Sequence, residues 1–361
     1  MNSMYIHIPF CKSICSYCDF CKVLYHSKWV KDYIKSLEKE IIERYNGEEI
    51  ETLYIGGGTP SCLINSDLKE LLEMLKNRIN ISTNIEYTFE CNINDINEIL
   101  LDTLKDYGIN RLSIGIESFN QKKLEFMERN HDYKDVSEKI ELIRNKGFNN
   151  INLDLIYGIP GESLKDLKKD LDLFIKLKPE HISTYSLIIE DNTKMGITKM
   201  VPISEDLDAK MYEYICEELE YKDYEHYEIS NFCKNNMYSR HNMNCWNNKE
   251  YYGFGVGASG YIYGIRYDNT KSITSYIKGN WVYKENVLSK TEMMDNELML
   301  GLRKTKGINL EEFYSKYGVN IQDVYDLKEV LKNKELIFEN GYLYVNPVYI
   351  YVMNEILIKI L

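Results

Sequence analysis

Read from the amino terminus, short apolar and β-branched runs alternate with longer stretches in which apolar positions recur every three or four residues. The short runs predict strands over 5–8, 52–55, 86–90, 112–116, 151–156 and 182–187. The longer ones predict helices over 28–44, 67–77, 95–107, 134–146, 164–177 and 205–220. Strand and helix in alternation predict an α/β fold with a parallel sheet, because parallel neighbours need long crossovers rather than tight turns. Six such units suit an open doubly wound sheet or an incomplete (β/α)6 barrel, and periodicity does not separate the two. Both architectures gather chemistry at the carboxyl ends of the strands. Gly56-Gly57-Gly58-Thr59, Glu90, Glu117 and Asp154 fall at or near such ends.

After about residue 231 the texture changes to Asn, Tyr and Gly with weak periodicity, until helical patterns return over 292–303, 310–317 and 324–332. A strand pair is expected over 336–339 and 342–345 about Asn340-Gly341, a favoured hairpin turn, followed by a last apolar helix. These shifts divide the chain into 1–225, a linking subdomain over 226–290 and a small C-terminal domain over 291–361.

Composition narrows the partners. The chain has 361 residues, with 44 Lys+Arg against 56 Asp+Glu and a net charge of −12, and it has no block of five or more Lys/Arg. Such a surface repels phosphate backbones, so nucleic acid is not an expected partner. The start, Met1-Asn2-Ser3-Met4-Tyr5, lacks the basic and apolar regions of a signal peptide, and no apolar run is long enough to span a bilayer. A cytoplasmic, enzyme-sized protein is the expectation.

The nine cysteines change the picture most. Their number is odd, and Cys11, Cys15, Cys18 and Cys21 lie within eleven residues of each other. A disulfide framework would spread its cysteines, whereas a tight cluster in a chain of this size reads as metal binding. Three soft donors on one loop suit an iron-sulfur cluster and leave one iron of a cubane without a protein ligand. Zinc is the alternative, with Cys21 completing a tetrahedral four-thiolate site. Cys62, Cys91, Cys216 and Cys233 read as small apolar core residues.

Tyr5-Ile-His-Ile-Pro-Phe-Cys11, Cys15, Ser16-Tyr17-Cys18 and Asp19-Phe20 resemble the radical S-adenosylmethionine (SAM) superfamily, and within it the coproporphyrinogen oxidase/HemW branch. The resemblance continues through Gly56 to Ser61, Asn110 to Phe119, Asp154 to Gly161, His241-Asn242 and Leu298 to Arg303, covering nearly the whole chain in order. It implies an incomplete barrel of the radical SAM type followed by a small α+β, winged-helix-like C-terminal domain. It further implies a 4Fe-4S cluster on Cys11, Cys15 and Cys18, with SAM on the open iron and reductive cleavage of SAM as the chemistry. Gly57, Gly58 and Thr59 would let backbone approach the methionine end, while Glu90 and Arg129 pair with its amino and carboxylate groups. Asp154 would accept from the ribose, Tyr17 would pack beside the cluster, and Tyr5 would lie near it. Glu117 is a departure, since the family more often has Gln there, and a carboxylate cannot donate.

Two members of this branch diverge at one position. Oxygen-independent coproporphyrinogen oxidases end the motif in Cys-x-Cys, but here that position is Phe20 and the next thiol, Cys21, comes one residue too late. The Asp-Phe pair follows the HemW-like heme chaperones. His241-Asn242-Met-Asn-Cys245-Trp246 resembles their heme-associated His-Asn-x-x-Tyr-Trp motif, with Cys245 in place of Tyr and Ser259 where a His is usual. His241 is thus either a heme contact or a structural histidine. The resemblance implies heme, a heme-acceptor protein and an electron donor such as a flavodoxin or ferredoxin as partners, with peripheral membrane contact arising through an acceptor. The alternative is a coproporphyrinogen III oxidase or another porphyrin-modifying radical enzyme.

Overall fold

In the computed structural model, which describes residues 2–361, the six expected strands form and lie side by side in chain order. They are β1 (Ser3–Ile8), β2 (Ile50–Gly57), β3 (Ile81–Asn92), β4 (Arg111–Glu117), β5 (Ile151–Tyr157) and β6 (His181–Ser186), each parallel to its neighbours. A doubly wound sheet reverses direction at a switch point, and here there is no reversal. Right-handed crossovers that always step the same way stack their helices on one face, so the sheet curls into a partial barrel. That decides between the two architectures left open by periodicity.

The crossover helices are α1 (Ser27–Arg44), α2 (Asn65–Arg78), α3 (Glu98–Asp106), α4 (Tyr133–Asn145), α5 (Leu164–Lys176) and α6 (Glu205–Tyr221). Val30, Tyr33, Ile34, Leu37 and Ile41 form the buried stripe of α1 at helical spacing. Asn97, Asp132, Ser163 and Ser204 cap the following helices through side-chain oxygens that accept from the first turn. α3 therefore starts three residues later than expected: residues 93–95 close a 3-10 turn before the Asn97 cap.

The segment expected as a linking subdomain extends the barrel sheet at both edges. β7 (Glu225–Glu228) and β8 (Asn231–Cys233) add antiparallel beyond β6, while β9 (Tyr251–Phe254) joins β1 in parallel. β10 (Ser259–Ile262), β11 (Ile265–Asn269) and β12 (Val282–Val287) then continue antiparallel, giving one twelve-stranded sheet. β12 is exposed along its whole length, so no alternation of apolar and polar residues marks it. Further on, the helix Lys290–Gly301, the short strand Ile308–Asn309 and the helix Leu310–Tyr317 lead to a hairpin that turns at Asn340-Gly341, both at positive φ, and pairs with that strand in a three-stranded sheet, and the chain ends in the helix Met353–Ile360. Among the described residues no helix is long and apolar enough to cross a membrane.

Glu228, fully buried, sits where β7 meets the C-terminal part of the chain through a bridge to Lys304. Burial pushes its carboxyl up to about 7. A carboxyl whose folded value exceeds its unfolded one binds more protons when folded, so its contribution to stability is lost as pH rises from about 4.5 to about 7. Glu228→Gln is therefore expected to change stability little at pH 5 and to add up to roughly 3 kcal/mol at pH 8, read by chemical denaturation at both values. An equal effect at the two pH values would contradict this assignment.

Candidate functional site

The cysteine loop is pinned at both ends. Phe10–Cys11 pairs in parallel with Val23–Leu24, the Val23 amide donates to the Pro9 carbonyl at 2.8 Å, and the Tyr25 amide donates to the Cys11 carbonyl at 2.8 Å. The loop lies over the carboxyl ends of the barrel strands and forms one wall of a cavity of about 640 Å³. Cys11, Cys15 and Cys18 all line that cavity and Cys21 does not. The Cys21 thiol instead donates to the Lys271 carbonyl at 3.6 Å, and its own carbonyl bonds the His7 ring at 2.7 Å. The tetrahedral zinc alternative thus loses its fourth ligand. All nine cysteines are free thiols, and burial pushes the Cys11 thiol up to about 11, so a thiolate there needs a cation partner.

Opposite the cysteines the strand ends form a cradle. A Cβ added at Gly58 would come within 2.8 Å of the Pro9 carbonyl and 2.9 Å of the Cys11 sulfur, and one at Gly56 within 2.6 Å of the Glu90 carboxyl. Gly57 has φ +117°, a conformation that side chains resist, and its amide donates to Glu90 Oε2 at 2.9 Å. Tyr54 donates its hydroxyl to Glu90 Oε1 at 2.8 Å, and Thr59 donates to the Cys11 sulfur at 3.5 Å. Enclosure pushes the Glu90 carboxyl up to about 7.

β4 carries an irregularity between Gly115 and Glu117, where Glu117 takes φ +66°. The distortion turns Glu117 into the cavity, where Tyr17 donates to its Oε1 at 3.1 Å and Arg129 lies 3.3 Å from its Oε2. Oε2 has no hydrogen-bond partner. Burial outweighs the Arg129 attraction and pushes Glu117 up to about 7. A protonated share of Glu117 carries an O–H donor, the property that separates Gln from a carboxylate at this position. Arg129 is held by the Gly115 carbonyl at 2.5 Å, with its other nitrogen 3.9 Å from the Cys15 sulfur. Asp154 accepts from Asn152 at 2.9 Å, and burial raises its carboxyl as well.

Cys11, Cys15, Cys18, Tyr17, Gly57, Gly58, Thr59, Glu90, Glu117, Arg129 and Asp154 therefore meet on one cavity. Tyr5 and His241 do not line it. Tyr5 bonds the His7 ring at 3.0 Å and so reaches the loop at Cys21 only indirectly. His241, 6% exposed, lies on the short helix Arg240–Trp246, whose first amides donate to the Glu86 carboxylate. Its ring packs beside Tyr54 with centroids 5.3 Å apart, and its Nδ1 bonds Thr52 at 3.2 Å. Thr52 spends its hydroxyl proton on Ser3, so Nδ1 is the donor and Nε2 carries the lone pair. Cys245 and Ser259 stand away from the cavity, Ser259 being exposed and bonded to Asp268. Arg111 and Tyr54 line the cavity without having been singled out in the sequence, and Asn242, named there only as part of the His241-Asn242 motif, lines it where His241 does not. For Arg111, alternation along β4 with Ser113, Gly115 and Glu117 was the available signal.

The family model of the radical SAM superfamily matches residues 5–174, and that of the HemN C-terminal domain matches residues 288–348. The heme chaperone HemW of Lactococcus lactis is 40% identical over 346 residues, covering 93% of this chain and 90% of that protein. The chain belongs to the HemW family of radical SAM proteins. HemW of Bacillus subtilis is 37% identical, covering 98% of this chain and 96% of its own length, and that of Escherichia coli is 30% identical, covering 88% and 86%. The solved structure of Escherichia coli coproporphyrinogen III oxidase HemN superposes with a TM-score of 0.87 at 20% identity, over 99% of this chain and 89% of that one, a likeness of fold alone. Radical SAM membership implies a 4Fe-4S cluster and SAM, and the residues present fit them: three thiols on one wall, glycines where a Cβ would intrude, and a buried Glu117 carboxylate oxygen with no hydrogen bond beside the Arg129 guanidinium on the same cavity.

Proposed function

We propose that this HemW-family protein is a heme chaperone that binds a 4Fe-4S cluster, SAM and heme, and passes heme to an acceptor protein. The observation that carries this reading is the set of three thiols on the cavity wall with Cys21 turned away, in a chain with Phe20 where the decarboxylating branch has its fourth cysteine. Cys11, Cys15 and Cys18 would hold the cluster. Gly57, Gly58, Thr59, Glu90, Glu117, Arg129 and Asp154 would hold SAM. When bound, these groups supply one-electron cleavage of the sulfonium, with the electron coming from a flavodoxin- or ferredoxin-like donor.

The cavity mouth suits a flat apolar macrocycle: Ile14, Phe20, Tyr185 and Ile188 line it and are 41%, 69%, 43% and 69% exposed. His241 has the chemistry of an axial ligand, since burial pushes it down to about 4 and Thr52 fixes the tautomer that leaves Nε2 free. His241 is buried and does not line the cavity in this conformation. The reading places its action in the cytoplasm, with membrane contact left to the acceptor.

Heme added to the reconstituted protein is expected to shift its Soret band, whereas incubation with reductant, SAM and coproporphyrinogen III is expected to yield no protoporphyrinogen. Absence of heme binding at micromolar heme would remove the chaperone reading, and turnover of coproporphyrinogen would replace it. His241→Ala is expected to weaken heme binding with the iron content intact, and an unchanged affinity would refute that contact.

A further inference from the structure

Arg111 opens β4 and is 2% exposed, the largest of the fully buried side chains in the chain. A guanidinium cannot shed its charge, so a buried one ordinarily has a carboxylate or carbonyls arranged around it. This one does not. Its Nε has no hydrogen-bond partner, and among the described residues none ion-pairs with it within 4.0 Å. Yet it lines the same cavity as Glu90, Asp154 and Asn242. Its charge is felt at Glu90, Asp154 and His241, which places it among them without bonding to any.

Register gives its depth. Arg111 pairs with Thr88 and Ser113 pairs with Glu90, so Arg111 lies two residues, about 6.6 Å, further from the carboxyl ends of the strands than Glu90. It is therefore separate from Arg129, which stands at the cysteine loop beside Glu117 and Cys15. The same cavity wall carries the polar side chains of Ser113, Asn152, Ser183 and Asn242. A planar fork with unused donors, buried on a cavity wall, is the arrangement that recognises a carboxylate by paired hydrogen bonds.

We propose that Arg111 is the anchor of a carboxylate-binding subsite in the deep part of the cavity, distinct from the Arg129 end. The amino-acid end of SAM being assigned to Glu90 and Arg129, the carboxylate is a propionate of heme, and the proposal rests on that reading of the cavity. Arg111 is thereby a binding residue kept unpaired in the free protein. The competing structural role, a counter-ion that neutralises Glu90 and Asp154, makes the opposite prediction for stability.

The test uses the full chain, reconstituted with iron and sulfide, as wild type and as Arg111→Met, which keeps an unbranched side chain of similar length. Binding is measured by titration with heme, heme dimethyl ester, SAM and decarboxylated SAM, and thermal midpoints are taken without ligand. Arg111→Met is expected to lose on the order of tenfold in affinity for the ligand that supplies the carboxylate, and to bind its esterified or decarboxylated form as well as wild type does. Loss confined to heme identifies the propionate, and loss confined to SAM would overturn the proposal by placing the amino-acid end at Arg111. The ligand-free midpoint is expected to stay level or rise, because an unpaired buried charge has been removed. Equal affinities of both proteins for heme and for SAM would overturn the subsite, and a lower midpoint with unchanged affinities would assign Arg111 to the counter-ion role. Wild-type protein that takes up neither ligand overturns the reading of the cavity itself, an outcome visible before any variant is made.

Discussion

Replacing Cys11, Cys15 or Cys18 singly by Ala is expected to lower the iron content after anaerobic reconstitution from about four atoms per chain towards none, whereas Cys21→Ala keeps it. The three thiols share one cavity, and each that is lost leaves an iron without a protein donor. Cys21 spends its thiol on the Lys271 carbonyl, and its Cβ sits where a side chain at Gly257 would be, 2.6 Å from the added atom. It is packed as part of the joint between the cysteine loop and the strands at the other edge of the sheet. Iron and sulfide analysis with the visible absorption spectrum decides the matter. Full iron in the Cys11 variant, or its loss in the Cys21 variant, would mean that a set of thiols other than Cys11, Cys15 and Cys18 holds the metal.

Gly58→Ala is expected to be nearly as damaging, through shape rather than chemistry. The added methyl would stand 2.8 Å from the Pro9 carbonyl carbon and oxygen and 2.9 Å from the Cys11 sulfur. Backbone at Pro9, directly after β1, cannot step aside as a flexible side chain does, and the Gly58 amide is already bonded to the Ile8 carbonyl at 2.9 Å. Overpacking of this kind costs about 1–3 kcal/mol. Here relief has to come at Cys11, so both cluster loading and SAM affinity should fall, by at least tenfold for SAM. Gly161→Ala is the matched control, since nothing lies within 4 Å of its added carbon even though its φ is +83°. Equal SAM binding by the Gly58 variant and wild type, measured by equilibrium dialysis, would show that the cradle is looser than its geometry indicates.

Much of this site was legible along the chain because its signals are local. Four cysteines within eleven residues, three glycines closing a strand and carboxylates at strand ends each lie within a few positions of one another. Local spacing is what strand and helix periodicity transmits directly. The strands and helices of the first half were legible for the same reason, and so was the Asn340-Gly341 hairpin. The sheet edges were less legible. β7 to β12 are short or exposed, so their hydrophobic pattern is weak, and their place in the barrel sheet depends on pairing with strands as distant as β1 and β6.

By itself, then, the sequence determined that this is an α/β protein built of six parallel units, with a thiol-rich loop after its first strand and acids and glycines at the strand ends. Only the tertiary structure decided that the sheet closes as a partial barrel in chain order, that Cys21 faces away from the other three cysteines, that His241 is packed under Tyr54 rather than on the cavity wall, and that Arg111 stands in that cavity unpaired. The physical reason is the same in each case. Which side chains meet across a sheet is set by register and curvature, and these arise from contacts between residues far apart in the chain that no local spacing encodes.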